Sequence, residues 1–173
     1  MDVMNLWFRL LWLLIVSPRR HPLSPLDTCS TPFRVLPSDL DVLRHVNNGI
    51  YLSIMDLARV DLMTRCRLAG RLRQRNWFPV VAAQTIRFRR SLTLFQRFTV
   101  ESRVLGWDDR AFLVEQVFMR DRELVAHAVV RARFLGTKGE RISPRDVLAL
   151  VGLGEPSPPL PATVARWNDE QAS

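Results

Sequence analysis

A chain of 173 residues, 47% of them hydrophobic, is long enough to bury a real core and short enough to read as one compact domain. Its formal net charge of +8 is almost wholly arginine, Lys138 being the only lysine. Such an excess attracts phosphate, in nucleic acid, in lipid headgroups or on a nucleotide-bearing ligand, but a compositional preference for Arg over Lys explains the same sum, so charge alone selects no ligand. Cys29 and Cys66 have neither zinc-ligand nor Cys-x-x-Cys spacing. That pattern predicts no metal and suits a reducing, cytoplasmic compartment.

In chain order, Leu6 to Val16 is apolar apart from Arg9 and is stopped by Pro18-Arg19-Arg20-His21-Pro22. The run is shorter than the roughly 20 apolar residues of a bilayer span. It also lacks the small-x-small cleavage site and basic start of a signal peptide. Two readings stay open, both preferred to spanning. Residues 1–20 lie in a lipid interface, with Trp7, Phe8 and Trp12 inserted and Arg19 and Arg20 at the headgroups, or they pack on the domain or on a second subunit. Residues 17–31, rich in Pro, Ser and Thr, read as a linker. The organisation is therefore a hydrophobic segment and linker over 1–31, a domain over 32–153, and a loose Pro-rich tail over 154–173.

Phe33 to Leu36 alternates and ends at Pro37, as a short strand does. A helix is predicted from Asn48 to Leu68, with apolar residues around nearly its whole circumference. A helix that is apolar all round is buried all round. In one domain, that implies a helix wrapped by a sheet. The strands follow. Val80, Ala82, Ile86 and Phe88 share one face of the first, with Arg87 and Arg89 opposite; Phe98, Val100 and Val104 share a face of the second. After a turn at Gly106 to Asp109, Phe112 to Met119 forms the third. Asp121-Arg122 is a tight connection to the last, where Leu124, Ala126, Ala128, Val130, Ala132 and Phe134 form one apolar parity. Its small residues suit close approach of the helix. The fold class is α+β, an antiparallel sheet curled around one long central helix. Ser143 to Leu150 reads as a short helix opening with Ser-Pro.

Chemistry concentrates in Asp39-Leu40-Asp41-Val42-Leu43-Arg44-His45-Val46-Asn47-Asn48-Gly49-Ile50-Tyr51. Asn is a favoured N-cap, and a helix start leaves main-chain N–H groups unpaired at the positive end of the dipole. Those donors suit a developing oxyanion, and Asp41 lies close enough in sequence to present a base beside them. The segment resembles the hotdog-fold acyl-CoA thioesterases of the 4-hydroxybenzoyl-CoA thioesterase type, whose helix entry runs Asp-x-Asp-x-x-Gly-His-Val/Met-Asn-Asn-x-x-Tyr. Asp39, Asp41, His45, Val46, Asn47, Asn48 and Tyr51 match it, and Arg44 replaces the Gly. The likeness covers about Phe33 to Phe134 and extends to Ile86-Arg87-Phe88-Arg89-Arg90. It is nearest to members with a hydrophobic N-terminal segment.

The resemblance implies a hotdog fold, acyl-CoA hydrolysis and no cofactor. Asp41 becomes the catalytic carboxylate, as base or nucleophile, against the plain reading of a turn acceptor. The main-chain N–H of Asn48 becomes the carbonyl polariser, compatible with a capping side chain at Asn47 or Asn48. Asp39, His45, Asn47 and Tyr51 are supporting residues. Asp39 either tunes Asp41 or faces solvent, and His45 orients by hydrogen bonding. Asp56 is a reserve carboxylate; pairing of Asp56 with Arg59 and of Asp61 with Arg65 is the ordinary alternative.

Arg87, Arg89 and Arg90, with Arg131 and Arg133, are the candidates for the CoA phosphates, because guanidinium forks bind phosphate oxygens in pairs. A solvated sheet face or subunit salt bridges is the other reading. Phe95-Gln96 stands where the family has Gly-Asp, so CoA contacts there do not carry over. The implied partners are an acyl-CoA, fatty-acyl from the apolar character, and a second copy in a homodimer or dimer of dimers. Peripheral membrane contact through residues 1–20 is compatible with this. A non-catalytic acyl-CoA or lipid-binding protein on the same fold is the rival. No nucleic acid is expected, there being no stacking platform or recognised motif.

Overall fold

The computed structural model describes residues 3–172. A first helix, α1 (Val3–Val16), leads through a 3-10 turn (Ser17–Arg19) to strand β1 (Cys29–Arg34). The central helix α2 (Asn48–Arg65) and a short α3 (Leu68–Gln74) follow, then β2 (Phe78–Phe88), β3 (Arg97–Trp107), β4 (Phe112–Arg120) and β5 (Glu123–Leu135). A two-residue β6 (Arg141–Ile142), α4 (Pro144–Ala149) and α5 (Ala162–Ala172) complete the chain. Among the described residues there is one antiparallel sheet, ordered β1-β3-β4-β5-β2, with β6 on the end of β5. The expected sheet-around-helix architecture is the one observed.

The capping residue of α2 is Asn47, whose side chain accepts from Gly49 N at 2.8 Å. Inside the sheet, α2 buries Ile50, Tyr51, Ile54, Met55, Ala58 and Leu62 against Phe98, Val100, Phe118 and the inner parity of β5. The helix ends earlier than its apolar pattern suggests. Cys66 closes it and Arg67 turns left-handed (φ 58°), a conformation that periodicity does not signal. The backbone of α2 approaches β1 and β3 most closely, not β5. The small Ala132 lines open space instead of accommodating the helix.

Two expectations for the ends of the chain change. The first strand begins at Cys29, inside the segment read as linker. α1 lies along α2 in the same direction: Arg9 pairs with Asp39 just before α2, and Arg20 pairs with the fully buried Asp61 near its far end. Asp61 therefore does not use Arg65; its carboxylate also accepts from Thr31 Oγ1 at 2.7 Å. Cys29 donates to that carboxylate and both thiols are buried. Burial pushes the Cys66 thiol up to about 12. α1 turns Leu13 inward and leaves Trp7, Phe8, Leu11, Trp12, Leu14 and Ile15 exposed. No helix among the described residues is long and apolar enough to cross a membrane.

The Pro-rich tail is not loose. It crosses the outer sheet face so closely that a Cβ on Gly106 would lie 2.9 Å from Pro158 O. α5 then sets Val164 and Trp167 on Leu105, Leu113 and Val129. Beneath it Arg131, wholly buried, donates to Asp108 and Asn168, each at 2.8 Å.

Candidate active site

Between Leu36 and α2 the chain closes into a tight hairpin. Asn47 N donates to the Asp39 carbonyl at 2.9 Å, Leu40 bridges Val46, and Asp41 N donates to the His45 carbonyl at 2.8 Å. The neighbouring segment holds one flank, with Val46 N on the Leu92 carbonyl at 2.9 Å and a bridge from His45 to Thr93. At the tip Arg44 is left-handed, φ 60°. That conformation favours glycine, which accounts for Gly at this place in the thioesterase motif. Phe95, likewise in a place the family gives to Gly, is left-handed too (φ 61°).

Asp41 sits at this tip with its carboxylate Oδ1 accepting from Leu43 N at 2.8 Å and His45 N at 3.2 Å. His45 thus contributes its main-chain N–H to Asp41. The N–H of Asn48, first residue of α2, has no acceptor among the described residues. Asp41, His45 and Asn48 bound one open cleft of about 410 Å³ with Tyr51, Phe88, Arg89, Arg90 and Ser91. Tyr51 is buried, its ring 5.0 Å from Phe88 and 5.1 Å from Phe118. Burial raises its phenol above the ordinary range, with a main-chain hydrogen bond from Leu92 acting the other way.

A carboxylate, an unpaired helix-start N–H and guanidinium forks therefore meet at a single opening. Arg89 and Arg90 reach it and Arg87 does not. Arg90 is also 3.4 Å from Glu123. Arg131 is corrected as a phosphate candidate: it is sealed beneath α5 and paired with Asp108. Asp39 turns both carboxylate oxygens to other partners, Oδ2 accepting from Arg9 at 2.6 Å and Leu36 N at 2.8 Å, Oδ1 from Asn5 at 3.2 Å. It is neither solvent-facing nor a wall of the cleft. His127, half-buried on β5, meets Glu115 at 2.9 Å. Among the described residues no group of His, Cys, Asp and Glu could hold a metal ion.

Sequence reasoning missed a second, apolar cavity of about 180 Å³ beside the C-terminal half of α2. Its walls include Val60, Met63, Val80, Val81, Phe112 and Phe134, together with Pro25 and Leu26 from the segment before β1. An apolar cavity of about 150 Å³ already holds a benzene ring. Arg59 forms part of the wall, donating to the buried Gln116 at 2.6 Å and pairing with Asp56. Burial lowers the pKa of that guanidinium. Pairing with Arg59 is the contact the i,i+3 spacing of Asp56 suggests. Ser91 at the cleft carries no signal in the sequence that could have singled it out.

The sequence profile described as "Thioesterase-like superfamily" matches residues 35–167. The chain belongs to that superfamily. It is 37% identical over 135 residues to Protein THEM6 of Xenopus laevis, covering 77% of this chain and 63% of that protein. It is 27% identical to the Saccharomyces cerevisiae protein named Probable thioesterase YBR096W, covering 74% and 54% respectively. The chain thus spans less than two thirds of the length of these curated relatives. Among solved structures it resembles that of the Escherichia coli protein named YbaW Probable Thioesterase, with a TM-score of 0.65 at 23% identity, over 71% of this chain and 98% of that one. A 4-hydroxybenzoyl CoA thioesterase gives a TM-score of 0.65 at 17% identity, over 72% and 99%. Those likenesses show the hotdog fold of this superfamily member.

Proposed function

We propose that this superfamily member hydrolyses acyl-CoA thioesters to free acid and CoA, with fatty-acyl groups as the substrate class. The observation that carries the reading is the common cleft of Asp41, the Asn48 N–H, Arg89 and Arg90. The thioester carbonyl oxygen receives the Asn48 N–H at the positive end of α2, where charge develops as the tetrahedral centre forms. Asp41 either takes a proton from the attacking water or itself attacks the carbonyl carbon. In the second route the C–S bond breaks, thiolate leaves, and water hydrolyses the mixed anhydride. Arg89 and Arg90 hold the phosphates of CoA, and the apolar cavity suits the chain.

The reading includes a homodimer. β2 is an edge strand of eleven residues, long and largely exposed, and such an edge invites another strand. Antiparallel pairing of β2 with its copy sets Pro79 to Val81 of one protomer near Phe88 and Arg89 of the other. The apolar cavity of one then adjoins the cleft of the other. It also includes a cytoplasmic location with peripheral lipid contact through the aromatic face of α1. That face favours one alternative, an acyl-CoA or lipid-binding protein without turnover.

The test is thiol release from acyl-CoAs of short, long and aromatic acyl groups, wild type beside Asp41→Ala. Release that falls at least about a thousandfold on substitution, in protein that still melts cooperatively, supports hydrolysis. Full activity of Asp41→Ala refutes the role of Asp41. Saturable acyl-CoA binding with no release from any substrate favours the binding alternative. Sedimentation reports the dimer, and flotation with anionic vesicles reports the lipid contact.

A further inference from the structure

The N-terminal helix reaches the catalytic hairpin through one buried carboxylate. Asp39 is 1% exposed, and its Oδ2 accepts from Arg9 Nη2 at 2.6 Å. The same Arg9 nitrogen donates to the Arg34 carbonyl at 2.9 Å, at the end of β1. Asn5, one turn earlier on α1, donates to Asp39 Oδ1 and to Ser38 Oγ. The main chain of Asp39 faces the other way in function. Its carbonyl receives the N–H of Asn47, the residue that caps α2. Asp41 follows two residues later.

The hairpin needs such an anchor. Its tip has no core packing: Val42 is 97% and Leu43 71% exposed, and Arg44 is held left-handed. On one side Val46 ties it to Leu92; on the other, Asp39 is the tie. Nucleophilic and electrophilic groups must be placed to within an ångström for turnover, whereas binding tolerates more.

We infer that α1 is a positioning element of the active site, with Arg9 acting through Asp39 to fix the Asp41 tip relative to the Asn48 N–H. Arg9 and Asp39 are positioning residues; neither borders the cleft. The inference rests on the thioesterase reading above. It gives the hydrophobic N-terminal segment a part in the reaction that is separate from any lipid contact.

The experiment compares full-length wild type with Arg9→Gln/Asp39→Asn, Arg9→Gln and Arg9→Lys. The double variant avoids leaving a buried carboxylate unpaired, the main threat to folding in Arg9→Gln alone. kcat and KM for thiol release are measured well below each melting temperature. Main-chain amide exchange is followed over residues 39–50 and over β4. The expected double variant loses about ten- to a hundredfold in kcat with KM within about threefold. Its exchange rises over 39–50 and is unchanged in β4. Arg9→Lys, which keeps the charge on a shorter side chain with a differently directed donor, falls between the two. A merely structural role would give a kcat deficit that disappears on cooling and exchange that rises in β4 as well. A folded double variant with kcat within twofold of wild type, or with unaltered exchange over 39–50, overturns the inference. If wild type releases no thiol from any acyl-CoA, the thioesterase reading fails, and the exchange comparison alone decides whether α1 orders the hairpin.

Discussion

The far clamp of α1 offers a sharp energetic test. Arg20 Nη1 stands 2.8 Å from Asp61 Oδ2, with the Asp61 side chain fully buried and the Arg20 side chain 28% exposed. At an effective dielectric of 20, two unit charges at that separation attract by about 6 kcal/mol gross, most of it offset by desolvation. Removing one partner of a buried pair costs about 3–5 kcal/mol, because the survivor stays buried and unpaired. The partial exposure of Arg20 places Arg20→Met near the lower end, about 3 kcal/mol, or about 6–12 °C in Tm for a chain of this size. Asp61→Asn removes the charge while leaving an oxygen for Thr31 Oγ1, now at 2.7 Å. Arg20→Met/Asp61→Asn is therefore expected to be more stable than Arg20→Met alone by at least about 1.5 kcal/mol. Calorimetry and urea unfolding of the four proteins complete the cycle. Additive losses, or a cost below about 0.5 kcal/mol for Arg20→Met, would show that the pair behaves as a surface contact. Because this clamp lies far along α2 from the hairpin, kcat/KM at 25 °C should stay within twofold. A large kcat loss at the far clamp would refute the assignment of positioning to the Arg9 end.

Other expectations follow from single positions. Arg44→Gly relieves a left-handed residue worth about 1–2 kcal/mol and adds about 0.5–1 kcal/mol of glycine entropy. The net is a gain of about 0.5–1 kcal/mol in urea unfolding; a loss would mean the Arg44 side chain contributes more than its backbone costs. Gly106→Ala forces the tail away from the sheet, since the added Cβ meets Ser157 Oγ at 2.6 Å and Pro158 O at 2.9 Å. A loss of about 1–3 kcal/mol should come with faster proteolysis after residue 154 and a shift in Trp167 emission. Burial works against ionisation of Asp108, yet hydrogen bonds from Asn168, Arg110 N, Ala111 N and Arg131 hold its carboxyl below the ordinary 3.8. With the folded value depressed, its stabilisation is complete above about 3.8 and is lost as pH falls through the folded value. α5 should therefore loosen in acid before the central sheet melts, seen as early tail proteolysis. In Asp108→Asn that early step should be absent.

The inner architecture was legible because its signals are local. Asn47 marked the start of α2, the alternation of β3 to β5 marked the inner face, and Asp121-Arg122 gave a tight turn with both residues at positive φ. The helix-entry motif named Asp41, Asn48 and Tyr51 together, and the phosphate candidates Arg89 and Arg90 line the same cleft, though nothing in the sequence joined the two sets. What escaped depends on distant partners. Asp61 lay four residues from Arg65 in sequence, yet a residue from the N-terminal segment reached it first. Arg131 sat on the parity opposite the core, which reads as solvent unless something covers it. Leu160, Val164 and Trp167 do cover it, and their helical spacing within a Pro-rich tail was the available hint. The irregular register at Val81 to Ala83 shifted the faces of β2 in a way that strict period two could not anticipate.

The strand order also has a consequence for how the molecule is made. β3, β4 and β5 form a meander of neighbours, joined by short turns and able to zip up locally. β1 and β2 instead wait for partners encoded far downstream, β1 for β3 and β2 for β5. During synthesis from the N-terminus, β2 leaves the ribosome before its intramolecular partner β5 is made, with only β1 of the sheet in existence. Non-local closure of this kind is slow, so both strands that end as outer edges, β1 and β2, stay unpaired in the nascent chain until β3 and β5 are made. Arg87 and the arginines just beyond it put like charge at one end of β2, which disfavours parallel joining of two copies and leaves open the antiparallel pairing proposed for the homodimer, where those arginines lie at opposite ends.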